Sequence, residues 1–354
     1  MIKRVANPSF QTVTAIAITL CCGDAAAQAP LTFQGRTITM IIDSAVGGGT
    51  DLTGRLLAPF LTKHLPGNPL VIVKNMPGAE GTVGLNYFVQ QVAPDGLTLM
   101  TGGGPSIDPI RYRAPQSRFN PGQFEFIGGV GRGGNLLLVS AAAEKRFYDK
   151  SAAPVAIGIA GAAPRSGHLM ATWGIEFLGW NGKWIAGYRS TQALNQALLQ
   201  GEIDMTATST LLSLKSGVDT GELKVVIQAG GFQDGKRVPR PEFPGVPILG
   251  NQLEGKLTNE VARQSFASWQ AVSLADKFFT LPPGTPAPIV AAYDAAYQKT
   301  IHDAEFNERG RKLSEVFEPM TRDDVNVLVK DIVDTPKEAV EYVESLLRKQ
   351  GIGG

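Results

Sequence analysis

The sequence predicts an α/β fold in two domains, and three observations carry it. Apolar strand patterns alternate with helical ones, glycine clusters follow the strands, and the chain is long. At 354 residues it exceeds one typical core, since a domain holds roughly 150 residues. Strand–helix alternation implies a mostly parallel sheet with both faces covered. Ligands of such sheets bind outside the carboxyl ends of the strands, which is where the glycine clusters fall.

The first unit is the clearest. Thr37 to Ile42 (TITMII) reads as a buried strand, broken by Asp43-Ser44 and the run Gly47-Gly48-Gly49. Leu52, Leu56, Leu57 and Phe60 then recur at helical spacing. Leu70 to Val73 is a second strand, Val83 to Val92 a helix, and Leu97 to Met100 a third strand ending in Gly102-Gly103-Gly104. A second set follows, with strands at Leu136–Val139, Val155–Ile159, Trp184–Ala186, Ile203–Ala207 and Leu223–Gln228. Helices are expected at His168–Leu178 and at Gln192–Gln200, the latter closed by Gly201. Gly230 to Gly255 reads as irregular, and the C-terminal end as helical. There Thr335-Pro336-Lys337-Glu338 has the spacing of a capping box with proline at the first helical position.

Composition narrows the function. Gly (41) and Pro (23) make up about 18 % of the chain, against a usual ~12 %, so many sharp turns are required. Apolar residues are 43 % and charged residues 18 %, which suits a sizeable core and excludes disorder. The 33 basic and 32 acidic residues become 31 and 31 once Lys3, Arg4 and Asp24 are removed. A neutral chain lacks the basic footprint of nucleic-acid or membrane-surface binding.

Removal of those three is expected. Lys3 and Arg4, the apolar run Val13 to Cys22, and Ala25-Ala26-Ala27 follow the order of a secretory signal peptide. Cleavage after Ala27 gives residues 1–27 as a leader and a periplasmic product, with a lipoprotein cut at Cys21 or Cys22 as the alternative. Both cysteines lie in this leader, so the mature chain has neither disulfides nor thiolate chemistry.

The runs RTITMIIDSAVGGGTDLTGRLLAPFL, VIVKNMPGAEGTVGLNYF and APDGLTLMTGGG resemble the solute-binding proteins of tripartite tricarboxylate transporters, the Bug family. GHLMATWGIEFLGW, IAGYRSTQALNQALLQGEIDM and LPPGTPAPIVAAY fit more loosely. The family's first turn is usually Pro-Phe-Pro-Ala-Gly-Gly, whereas this chain has Asp43-Ser44-Ala45-Val46-Gly47-Gly48. Arg111 to Lys150 is also longer and more irregular than usual. The resemblance implies a periplasmic type II binding fold: two α/β lobes joined by crossing strands. Lobe one would be about 28–134 plus 227–354, and lobe two about 135–226. It implies a monomeric receptor for a small organic acid, working with membrane permease subunits and needing no cofactor. An enzyme on the same scaffold, or a receptor for a membrane sensor kinase, is the alternative.

Candidate ligand contacts follow from the chemistry of an anion. Helix starts carry unsatisfied N–H groups and a partial positive charge, and glycine lets backbone amides approach a ligand closely. Gly47, Gly48 and Gly49 fit this role, with Ser44 and Ala45 leading in. Thr50 is a plausible N-cap, and Asp51 either serves the helix dipole or accepts from the ligand. Gly103, Gly104 and Ser106 form the corresponding loop after the third strand. In lobe two, Arg165 offers a bidentate fork to a carboxylate, Ser166 and Gly167 open a helix, and His168 starts it. Tyr188, Arg189 and Ser190 open the next helix, and Asp204 orients a ligand group or ends a strand. Gly129-Val130-Gly131-Arg132-Gly133-Gly134 fits G-x-G-x-x-G. A strand pattern rather than a helix follows it, so it reads as a crossover hinge and not a dinucleotide site. No spacing of His, Asp or Glu suggests a metal or a catalytic site.

Overall fold

Runs of aliphatic and β-branched residues build strands that are buried within two sheets. The computed structural model describes residues 31–352 apart from Arg132, Asp234, Gly235 and Glu315. The expected leader, 1–27, lies outside the described residues. The strands are β1 (Thr37–Ile42), β2 (Leu70–Asn75), β3 (Thr98–Gly103), β4 (Glu125–Gly131), β5 (Leu136–Ser140), β6 (Val155–Ala160) and β7 (Gly182–Tyr188). They continue as β8 (Met205–Thr208), β9 (Leu223–Gln228), β10 (Gly231–Gln233), β11 (Lys236–Val238), β12 (Lys277–Leu281) and β13 (Glu318–Met320).

Two sheets define two lobes. The first has the order β13-β4-β12-β3-β1-β2 and the second β7-β6-β8-β5-β9. In the first, β1 is parallel to β2 and β3; in the second, β6 is parallel to β7 and β8. The sheets are nonetheless mixed. β12 runs antiparallel to β3 and β4, and β5 antiparallel to β8 and β9. The crossing chain explains β5: it leaves β4 at the carboxyl edge and enters the second sheet from the edge where β6 and β8 end. It can therefore only run against them.

The crossing itself is short. β4 ends at Gly131 and β5 begins at Leu136, with Gly133 and Gly134 at φ +66° and +79°. A Cβ on Gly134 would stand 2.5 Å from the Gly230 carbonyl oxygen. The outgoing and returning segments thus touch, and the Ala229 N–H donates to the Asn135 carbonyl at 2.8 Å. The first half of the glycine motif is strand: Gly129 to Gly131 pair with β12 and β13, and no helix follows.

Each sheet is covered on both faces. Helix α1 (Gly49–His64) packs Leu57, Phe60 and Leu61 beneath the first sheet. Helix α2 (Thr82–Gln91) packs Leu85 and Phe88 on the other face. The helix Glu260–Leu274 belongs to both lobes: Ala271 and Val272 join the first core, Phe266 and Trp269 the second. The C-terminal helix Lys337–Lys349 adds Val343, Leu346 and Leu347 to the second core.

Two local readings are corrected. Pro336 is the N-cap of the last helix, which has no side-chain cap. Thr335 instead closes the preceding turn, donating to the Asp331 carbonyl at 3.0 Å. A capping box does exist one helix earlier, where Thr321 and Asp324 satisfy one another's backbone N–H groups. Gly230 to Gly255 is less irregular than its composition suggests, since it holds the β10–β11 hairpin and the helical turn Leu249–Gln252.

Candidate functional site

The carboxyl ends of β1, β2 and β3 form one rim of a cleft and those of β6, β7 and β8 the other. At the end of β1 the chain turns into α1, and Asp51 pins that turn. Its side chain is 1 % exposed and accepts from the Gly47 N–H at 2.8 Å, Arg55 Nε at 2.9 Å and Asn75 Nδ2 at 2.8 Å. Burial pushes this carboxyl up, but the bonds from Arg55, Gly47 and Asn75 outweigh burial and leave it below the ordinary range. Asp51 is thus fully engaged and positions the turn. Gly48, not Thr50, is the N-cap, with no side chain satisfying the first N–H groups. Ala45, Gly47 and Gly49 are exposed, and Ser44 and Thr50 half-buried. The Ser44 hydroxyl is buried without a hydrogen-bond partner, although its carbonyl accepts from Asn75 at 2.9 Å.

The loop after β3 behaves differently. Gly103, Gly104 and Ser106 are buried. The Gly103 N–H donates to Asp43 at 3.1 Å, and the Ser106 hydroxyl donates to the Gly103 carbonyl at 2.7 Å. A Cβ on Gly104 would lie 2.4 Å from the Val272 carbonyl oxygen and 2.5 Å from that of Ala275. Gly104 lets the turn press against the end of the helix Glu260–Leu274, and the N–H groups of Gly103 and Gly104 are taken by Asp43 and by the Asp276 carbonyl at 3.0 Å, so neither amide is free for a ligand. Burial pushes the Asp43 carboxyl up to about 6, against the opposing pull of Ser106, Gly103 and Lys277.

A third corner, after β2, was not singled out in the sequence. Gly78, Ala79, Glu80 and Gly81 all have positive φ: +134°, +42°, +54° and +96°. This backbone aims the Glu80 carboxylate into the cleft, where it bonds the guanidinium of Arg111 from the first lobe and that of Arg165 from the second. Arg111 is nearly buried, and its Nε has no hydrogen-bond partner. It follows Asp108, which caps the helical turn Pro109–Tyr112 by accepting from the Ile110 N–H at 2.9 Å. Burial pushes Asp108 up to about 6, opposed by the Ile110 bond and the Arg111 charge. Beside the two arginines lies a cavity of about 50 Å³, walled by Pro105, Ile110, Ala163, Pro164 and Leu169. That is room for three or four water-sized groups.

In the second lobe several candidates turn out to be structural. The His168 ring faces the sheet rather than the cleft, with Nε2 3.1 Å from the Thr206 hydroxyl and accepting from the Ala207 N–H at 3.3 Å. Burial depresses its pKa to about 4, so it is a neutral link between strands. Asp204 precedes β8, at the end of the sheet away from the cleft, and is held by Arg146 at 2.8 Å and the Ala156 N–H at 2.9 Å. Ser190 caps the helix Thr191–Gln200 by accepting from Ala193 at 3.2 Å. Gly167 is packed on Asn135. Ser166 does not cap its helix; at φ +47° it offers its carbonyl to Trp269 Nε1 at 2.8 Å. Arg165, half-buried, reaches the cleft. Tyr188 and Arg189 end β7 at the rim, with Arg189 exposed. Of the candidates, Arg165 lines the cavity beside Arg111, while the Ser44–Thr50 turn follows the carboxyl end of β1, and Tyr188 and Arg189 stand at that of β7. The sequence reading missed Glu80, Arg111 and Asp108. The flanking glycines of Gly78-Ala79-Glu80-Gly81 were the available signal for Glu80. Among the described residues, no cluster of His, Cys, Asp or Glu could hold a metal ion.

No family model matches the sequence. A Cupriavidus necator protein described as the UPF0065 protein in the gbd 5′ region is 41 % identical over 95 residues, spanning 27 % of this chain and 28 % of the relative. Solved structures match far more of it. A TctC solute-binding protein from Polaromonas aligns with TM-score 0.63 at 20 % identity, covering 90 % of this chain and 100 % of the other. The periplasmic binding protein BugD gives 0.59 at 24 %, covering 90 % and 98 %. An R. palustris protein solved with adipate gives 0.62 at 20 %, covering 90 % and 98 %. The chain therefore has the two-lobed α/β fold of the TctC-type periplasmic solute-binding proteins.

Proposed function

We propose that the protein is an extracytoplasmic receptor that captures a small organic carboxylate between its lobes and hands it, unchanged, to the permease of a tripartite tricarboxylate-type transporter. One observation carries this reading: guanidinium groups from opposite lobes, Arg111 and Arg165, converge on a single carboxylate. A carboxylate held there links the lobes, and arginine suits it because its planar fork matches the two oxygens. The Ala45–Gly49 turn after β1 would supply main-chain N–H groups for a second polar end, other than those of Gly47 and Gly48, which are bonded within the turn. In this reading the lobes divide near residues 134 and 227, with the helix Glu260–Leu274 and the C-terminal helix reaching across to the second core, and ligand shifts their open–closed equilibrium. The signal pattern at 1–27 and the solved relative that holds adipate support the same reading.

Charged hydrogen bonds contribute ~1.5–3 kcal/mol each, while association costs several kcal/mol. Three or four such contacts correspond to a micromolar or somewhat tighter Kd. The test is thermal shift followed by calorimetry with acetate, succinate, malate, adipate and benzoate. At least one acid should raise the melting temperature in a saturable way, and Arg165→Gln should weaken its binding about tenfold. If no acid binds, the receptor reading fails.

A further inference from the structure

We infer that Glu80 is a tethered competitor for the carboxylate subsite: its side chain occupies the Arg111–Arg165 pair, and an incoming acid must displace it. The inference rests on the receptor reading given above and deepens it.

Four observations converge on this residue. The Glu80 carboxylate bonds both arginines, one from each lobe, as a ligand carboxylate would. The second lobe's Gly161 also closes on it, since a Cβ there would lie 3.5 Å from Glu80 Oε1. Glu80 remains 40 % exposed, so it is able to swing outward without unpacking the core. Its backbone, with Ala79, occupies the left-handed region between two glycines, a conformation that side chains other than glycine seldom adopt. Such strain persists where the surroundings fix it, and it clusters at ligand clamps.

Charge decides between displacement and co-binding. Arg111 and Arg165 face Glu80 and the nearby Asp108, so the cluster is close to neutral with Glu80 in place. A carboxylate entering this set finds no unmatched positive charge, and the Glu80 carboxylate already occupies both guanidinium groups. Removing Glu80 from the arginines supplies both the charge and the space. The neighbouring Arg111 Nε, buried and unpartnered, is then available to the second oxygen of the ligand.

The thermodynamic consequence is simple. When only the unlatched fraction binds, the apparent Kd is the intrinsic value divided by that fraction. The latch therefore weakens every competing acid by a similar factor. Glu80→Gln keeps the size and removes the charge, and Glu80→Gly also suits the positive φ.

The experiment is calorimetric titration of the wild type and both variants with succinate, malate and adipate. Each acid that binds should do so about tenfold more tightly to Glu80→Gln and Glu80→Gly, with a similar factor across acids. Equal or weaker binding to both variants overturns the inference, because Glu80 would then be a spectator or a direct ligand contact. So would a gain confined to one acid. Failure of all three acids to bind any of the three proteins counts instead against the receptor reading.

Discussion

His168 illustrates what a single side chain can contribute and how its chemistry can be misread. Its position at a helix start beside Arg165 suggests a ligand contact, yet the ring bonds β8 through Thr206 and Ala207 and β6 through the Gly158 backbone. Neutral imidazole is what those partners require. With the pKa depressed from 6.5 to about 4, the unfolded chain binds a proton that the folded chain refuses. This stabilisation is present above pH 6.5 and is lost as the pH falls towards 4, amounting to about 3 kcal/mol. Asp43 and Asp108 act in the opposite sense. Each is raised from 3.8 to about 6, so their preference for the protonated form favours the folded state below 3.8 and fades as the pH climbs through 6. His168→Gln should lower stability at pH 7 yet make it less sensitive to acid between 6.5 and 4. Urea unfolding at several pH values measures this, and an unchanged acid dependence would show that the ring does not titrate as described.

At the scale of the element, the strand–turn–helix units were the most legible part of the sequence. TITMII and LKVVIQ are short runs rich in β-branched and aliphatic residues, and their observed bounds, Thr37–Ile42 and Leu223–Gln228, match the pattern residue for residue. The glycine clusters were legible as turns but not in their roles, because a glycine freeing an amide and one admitting a neighbouring backbone look identical in sequence. Gly48 and Gly104 separate the two cases. Gly48 has φ −75° and nothing nearer than 3.4 Å to an added Cβ, so Gly48→Ala should change stability by less than about 1 kcal/mol. It should nonetheless weaken acid binding about tenfold if the turn's amides face the ligand. Gly104→Ala forces a methyl group onto two backbone carbonyls, which no side chain can relieve. It should cost more than about 2 kcal/mol. Paired thermal melts and titrations check both, and a neutral Gly104→Ala would contradict the packing of this turn. The Glu80 contacts were illegible for a related reason: Glu80, Arg111 and Arg165 are far apart in sequence, and Arg165 reaches the other two only across the lobes.

For the whole molecule, the proposed receptor's opening and closing depends on what joins the lobes. Two crossing segments touch at Asn135 and Ala229, and the helix Glu260–Leu274 lends one face to each core. In the proposed receptor these connections would serve as the hinge, since lobe motions turn on a few residues that absorb backbone change. The Arg165–Glu80 ion pair is a charged link across the cleft mouth. Both arginine and glutamate there are partly exposed, so salt weakens the pair, with a screening length of about 8 Å at physiological ionic strength and 3 Å at 1 M. The ligand-free wild type should therefore expand as salt rises, seen as a larger radius of gyration in solution scattering. Glu80→Gln should already be expanded at low salt and respond little to more. A saturating acid restores the link between the arginines in both proteins and should bring them to the same compact radius. A wild type whose radius ignores salt, or a Glu80→Gln variant as compact as the wild type without ligand, would mean that apolar packing along the shared helix, rather than charge at the cleft, holds the lobes together.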